Sequence, residues 1–74
     1  MHDEAIRLRR LTDRQREVLW RVADGSRQQD VAADMGISTQ TLKNHLRLVY
    51  KSVGARSLLH ALHLVGWLKR PLRP

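Results

Sequence analysis

The sequence predicts a small all-α domain, and three observations lead to this fold class. Apolar residues recur three and four positions apart along most of the 74-residue chain, which is the spacing of one helix face. Glycines at positions 25, 36 and 54 follow these apolar segments, where helices commonly end. No run of alternating apolar and polar residues indicates a strand. A chain of this length suits one domain with a core near the lower size limit.

Four helices are expected, at about residues 12–24, 27–35, 38–53 and 57–69. The first has Thr12 and Gln15 at capping-box spacing, and Ser38 is a natural N-cap for the third. Ser57 can cap the fourth, which cannot continue through Pro71 because proline lacks the backbone N–H.

These helices divide the chain into three parts. Residues 1–10 are expected to be a partly ordered lead-in, residues 11–70 the folded domain and residues 71–74 a C-terminal tail.

The net charge of +7 comes entirely from the second half of the chain. Residues 1–34 hold seven acidic residues and seven arginines, whereas residues 35–74 hold seven basic residues and no acid. A one-sided basic surface is typical of proteins that bind polyanions. The alternative interpretation is that the basic residues only keep the surface solvated.

Composition and the start of the chain exclude several other classes. The absence of cysteine excludes disulfides and thiolate metal sites and fits a reducing compartment. Acidic residues stand where a secretory signal would be basic, and no long apolar run follows. We therefore expect a cytoplasmic protein without a membrane partner.

Residues 28–45, QQDVAADMGISTQTLKNH, have the pattern of a helix-turn-helix. Ala32 is the small residue that lets two helices cross closely, and Gly36 permits a left-handed turn four residues later. Ile37 and Leu42 stand where they can fix the second helix on the first. This arrangement leaves the outer face of the second helix free for the major groove of DNA.

Two segments, LTDRQREVLWRVADG and DVAADMGISTQTLKNHLRLVYKSVGARS, resemble the LuxR/NarL-type DNA-binding domain over roughly residues 11–66. The resemblance implies a four-helix domain, transcriptional control in bacteria or their phages, and pairing through the last helix. The chain would then be a single-domain regulator or the C-terminal domain of a longer one.

The sequence departs from the family pattern at four positions. Gln15 replaces a usual Glu, and Arg27 stands where a capping Ser or Thr is common. Ser52 replaces a frequent Lys and Leu58 a frequent Arg. The last two changes remove positive charge near the corner between the third and fourth helices, so fewer phosphate contacts are expected there.

The resemblance places the residues after Thr41 in the groove, and side-chain chemistry selects the base readers. Arg and Lys donate to guanine, and Asn pairs with adenine. The expected base-reading residues are Lys43, Asn44 and Arg47. Hydroxyls, amides and a helix N-terminus suit phosphate oxygens. The expected DNA-backbone contacts are Ser38, Thr39, Gln40, Thr41, His45 and Lys51. The alternatives are phosphate neutralisation by Lys43 and Arg47, and a packed or capping imidazole at His45.

The fourth helix carries more apolar residues than its own core needs, which indicates an interface. The expected homodimer contacts are Leu59, His63, Gly66 and Trp67. The alternative is that the lead-in covers these residues within one subunit. His60 and His63 lie three apart but lack a third ligand nearby in sequence, so no metal or cofactor is expected.

The sequence therefore predicts a sequence-specific regulator that binds double-stranded DNA as a homodimer. RNA polymerase or a separate regulatory protein stays open as a further partner. Two alternatives are a sigma-factor-type module that reads promoters and contacts RNA polymerase, and a protein-interaction adaptor that uses the fourth helix. An enzyme is not expected, because the short chain has no nucleophile–base constellation, and no catalytic residue is assigned.

Overall fold

A computed structural model describes residues 2–67 of the chain, and the regular secondary structure of these residues consists of helices joined by turns. The helices are α1 (His2–Arg9), α2 (Asp13–Val22), α3 (Gln28–Met35), α4 (Thr39–Val53) and α5 (Leu58–Leu64). The all-α class is confirmed. The four expected helices correspond to α2–α5, and the described residues contain a fifth, α1, in the segment expected to be a partly ordered lead-in.

Helix α1 occupies the segment expected to be a lead-in, and its contacts explain why it forms. A helix of this length is marginal in isolation and depends on tertiary packing. Leu8 packs against the core, and the guanidinium of Arg7 donates a hydrogen bond to the carbonyl of Val53, the last residue of α4. Arg16 of α2 donates to the carbonyl of Leu8 at 3.4 Å. Helix α1 is therefore attached to both α2 and α4.

The start of α2 matches the expected capping box. The Thr12 hydroxyl accepts a hydrogen bond from the Gln15 backbone N–H at 3.1 Å, and the Thr12 N–H donates to Gln15 Oε1 at 2.9 Å. Gln15 thus fills the structural role of the Glu that is usual in the family. Arg27 occupies the N-cap of α3 and provides no side-chain cap, so that helix begins without one.

The turn between α3 and α4 has the geometry that the sequence predicts. Gly36 adopts a left-handed conformation with φ +70°, and the N–H of Ile37 donates to the Ala32 carbonyl at 3.0 Å. Ser38 then caps α4, because its hydroxyl accepts from the Thr41 N–H at 3.0 Å. Helices α3 and α4 therefore form the helix-turn-helix.

Helix α5 is shorter than expected. It ends at Leu64, and Gly66 follows with φ +83°, a left-handed backbone that stops the helix. Residues 65 and 66 form a turn, so the prediction that this helix continues without a break to residue 69 was wrong there. The remaining part of that prediction, and the expected tail 71–74, lie outside the described residues.

The core consists of two clusters of buried side chains that meet at α4. One cluster joins Leu11, Leu19, Val49, Val53, Ala61, Leu62 and Val65. The other joins Val18, Val22, Val31, Ala32, Leu42 and Leu46. Tyr50 and Leu58 are partly buried and pack against both clusters. Helix α4 therefore links the two halves of the core, and one full side of it is buried.

None of the helices in residues 2–67 has the length and apolar character needed to cross a lipid bilayer.

We predict that Arg7→Ala lowers the free energy of unfolding by about 1–3 kcal/mol, because a charged donor to the end of α4 is lost. Arg9→Ala is the matched control, since Arg9 lies in the same turn of α1 and is exposed. Its effect should stay within about 0.5 kcal/mol. Urea unfolding followed by circular dichroism measures both. Equal losses in the two variants would show that the Arg7 hydrogen bond does not stabilise the fold.

Candidate nucleic-acid interface

The side of α4 opposite the core carries a row of exposed polar residues. At about 100° per residue, these side chains fall on one narrow face of the helix. We call this row the outer stripe; it comprises Gln40, Lys43, Asn44, Arg47 and Lys51, all exposed. The structure thus brings the three expected base readers together on one surface.

Hydrogen bonds join three members of the outer stripe. The Oδ1 atom of Asn44 accepts from Gln40 Nε2 at 3.2 Å and also from Arg47 Nη2. The Nδ2 group of Asn44 and the remaining donors of Arg47 have no partner within residues 2–67. The three side chains are therefore held in one layer while their outward donors stay available.

The cations of the outer stripe are not neutralised by neighbouring acids. Four ion pairs engage arginines of α2 and of the α3 N-cap: Arg14–Glu17, Arg16–Asp13, Arg21–Glu17 and Arg27–Asp30. Between the described residues, no ion pair involves Lys43, Arg47 or Lys51. The positive charge of α4 consequently faces solvent unpaired.

The N-terminus of α4 presents hydroxyl and backbone donors beside this stripe. Ser38 and Thr41 are exposed, and the Ser38 hydroxyl donates to the Thr41 hydroxyl at 2.9 Å. The first turn of α4 contains no acidic residue that would compete for its N–H groups. Thr39 is partly buried. This end of the helix therefore has the partial positive charge that attracts an anion.

Two further residues lie on the flanks of α4 between the core and the outer stripe. His45 is partly buried and has no hydrogen bond or ion pair to another described residue. Burial raises the pKa of Tyr50, so its phenol stays neutral near pH 7 and adds no charge to the surface.

Leu48, which is 51% exposed on α4, is not among the site residues predicted from the sequence. It lies four residues after Asn44 and outside the buried stripe of Leu42, Leu46 and Val49. That helical phase was the available signal, because a leucine out of phase with the core on this helix must face solvent.

The expected dimer contacts fall into two groups. Leu59, at 65% exposure, and His63 lie four residues apart on the exposed face of α5. Gly66 instead approaches α1 so closely that an added Cβ would lie 2.8 Å from Glu4 Oε1. The ring of Trp67 packs edge-on against Trp20 with centroids 5.4 Å apart. The structure therefore places Gly66 and Trp67 against other parts of the same chain.

An acidic groove lies between α2 and α3, and none of its lining residues belongs to α4. Its volume is about 580 Å³, and the lining residues are Glu17, Trp20, Arg21, Asp24, Ser26, Asp30, Val31 and Asp34. The Ser26 hydroxyl donates a hydrogen bond to Asp24 and lowers the pKa of that carboxyl, and the Ser26 backbone N–H lowers it further. The groove thus has the opposite charge to the outer stripe.

The described residues contain no group of three or more side chains that could hold a metal ion. His60 has a structural partner, since its Nδ1 atom accepts from the Arg56 N–H at 3.1 Å.

Comparisons with known proteins show the family to which this chain belongs. Residues 9–65 match the family model described as bacterial regulatory proteins, luxR family. The chain belongs to this family, whose helix-turn-helix domain binds DNA in transcription regulation. The family is not a class of enzymes.

Two curated relatives agree with this assignment. The chain is 33% identical over 61 residues to the probable HTH-type transcriptional regulator GfsR of Streptomyces halstedii, covering 82% of the chain and 24% of the relative. It is 31% identical over 62 residues to the transcriptional regulatory protein DesR of Bacillus subtilis (strain 168), covering 80% and 31% respectively. The chain thus spans less than a third of either relative. No solved structure matches it.

Proposed function

We propose that this chain binds double-stranded DNA sequence-specifically, with α4 in the major groove, and thereby regulates transcription. The observation that carries the proposal is the outer stripe, in which three unpaired cations and two amides share one exposed helix face. The major groove is wide enough for an α-helix, and its base edges offer acceptors and donors to such a row.

The proposed base readers are Lys43, Asn44 and Arg47. Arg47 uses one nitrogen on Asn44 and retains other donors for guanine O6 and N7. Asn44 retains its Nδ2 donor for the N7 acceptor of adenine, and its Oδ1 can exchange an internal donor for the adenine amino group. Lys43 flanks this layer with three freely rotating donors.

The proposed DNA-backbone contacts surround this layer. They are Ser38, Thr39, Gln40, Thr41, His45 and Lys51. Hydroxyls and N–H groups at the start of α4 suit one phosphate, and Lys51 suits another about three turns along the helix. Gln40 also orients Asn44 through its 3.2 Å hydrogen bond.

The proposed dimer contact is centred on Leu59 and His63 of α5. These two side chains are the exposed members of the expected interface, whereas Gly66 and Trp67 pack against other parts of the same chain. Two α4 helices held one DNA turn apart would read two half-sites of a palindrome.

Selection of bound duplexes from random DNA tests the proposed function. We expect a palindromic motif with half-site centres about 10 base pairs apart. A single unpaired half-site would contradict the dimer. Absence of any enriched motif would contradict sequence-specific binding, and tight capture of a protein partner in its place would favour an adaptor.

Arg47→Ala and Lys51→Ala form a matched pair, because both remove one exposed cation from α4. Arg47→Ala should cost about 1–3 kcal/mol of binding free energy and relax preference at one base position. Lys51→Ala should weaken all duplexes alike and reduce the slope of log K against log salt by about one. Binding titrations at several salt concentrations measure both quantities. Uniform weakening by Arg47→Ala would reassign Arg47 to the DNA backbone.

Leu59→Asp should convert a dimer at micromolar concentration into a monomer, because a carboxylate would be buried in the apolar contact. Ile6→Asp is the matched control, since Ile6 is an exposed apolar residue on α1 at 47%. Sedimentation equilibrium measures both masses. A monomeric parent protein that binds DNA as one copy would refute the dimer.

A further inference from the structure

Leu48 is the exposed apolar residue of the DNA-binding helix, and neither the fold nor the proposed base readers use it. The large apolar side chains that are exposed among residues 2–67 are Ile6, Trp20, Leu48 and Leu59. Of these, only Leu48 lies on α4. It belongs to neither core cluster, so packing within the chain does not explain a leucine here.

The helix geometry places Leu48 beside Asn44 of the outer stripe. Leu48 follows Asn44 by four residues, so the two Cβ atoms are about 5–6 Å apart on adjacent turns. Long side chains on a helix lean toward its N-terminus, which directs Leu48 toward Asn44. Lys51 lies three residues further on, also exposed. The leucine is thus enclosed by polar residues proposed to face DNA.

We propose that Leu48 contacts the 5-methyl group of a thymine next to the base pair that Asn44 reads. This inference rests on the proposed function. The methyl group of thymine is the apolar feature of base edges in the major groove, whereas the other groups there are donors and acceptors. A leucine would leave those polar groups unpaired, which is costly in a dehydrated contact. Leu48 therefore selects an A·T pair at one position of each half-site.

Deoxyuridine substitution tests the contact directly, because it removes the methyl group and leaves the hydrogen-bonding edge unchanged. The probe is the duplex selected by the parent protein, with each thymine replaced in turn by deoxyuridine. One replacement in each half-site should weaken binding by the parent protein roughly two- to fivefold, the loss expected for one buried methyl group. Leu48→Ala should bind the thymine and deoxyuridine duplexes equally.

Two controls separate contact from folding. Leu48→Met keeps an apolar side chain of similar volume and should retain the sensitivity to deoxyuridine. Leu48→Ala should leave the melting temperature and the salt slope unchanged, because Leu48 is outside the core and carries no charge.

Several outcomes would overturn the assignment of Leu48. They are a selected half-site without an A·T pair, a duplex in which no thymine is sensitive, and equal sensitivity in the parent protein and Leu48→Ala. A change of oligomeric state in Leu48→Ala would assign the residue to a contact between copies instead. Absence of any selected duplex would refute the proposed function itself, and this inference with it.

Discussion

Helix α4 has to be fixed firmly by one face while its opposite face stays free, and the rest of the structure depends on this constraint. Each of the other four helices of the described chain packs against α4. Its buried side chains, Leu42, Leu46, Val49 and Val53, reach both core clusters, and each contributes roughly 1.5–3 kcal/mol by leaving water. Arg7 holds the last carbonyl of the helix, and Ser38 caps its start. Such a short chain has one core, and that core positions the outer stripe.

The distribution of ion pairs gives the two sides of the molecule different electrostatic properties. Arginines in α2 and at the start of α3 are paired three or four residues away with Asp or Glu. The same region carries the acidic groove, whereas the cations of α4 have no acid beside them. A polyanion would therefore be attracted to the α4 side rather than to the groove, and on the proposed function this attraction would orient the domain on DNA.

Local signals made α4 and the helix-turn-helix predictable from sequence. Gly36, Ser38 and the apolar spacing from Leu42 each specify conformation within a few residues. Helix α1 was not predictable in this way, because the hydrogen bond from Arg7 to Val53 spans 46 positions. The end of α5 was overestimated, since apolar spacing continued past the glycine that stops the helix. In the candidate site, the Asn44 hydrogen bonds and the exposure of Leu48 both follow from helical spacing. The Trp20–Trp67 contact joins residues far apart in the chain, so no local signal predicted it.

An NMR titration of the ¹⁵N-labelled protein with its selected duplex would show whether α4 presents its free face to DNA, as proposed. The largest amide shifts are expected between residues 38 and 51, with small shifts in residues that line the groove between α2 and α3. If the groove residues shifted most and the outer stripe stayed unchanged, α4 would not be the DNA-binding surface.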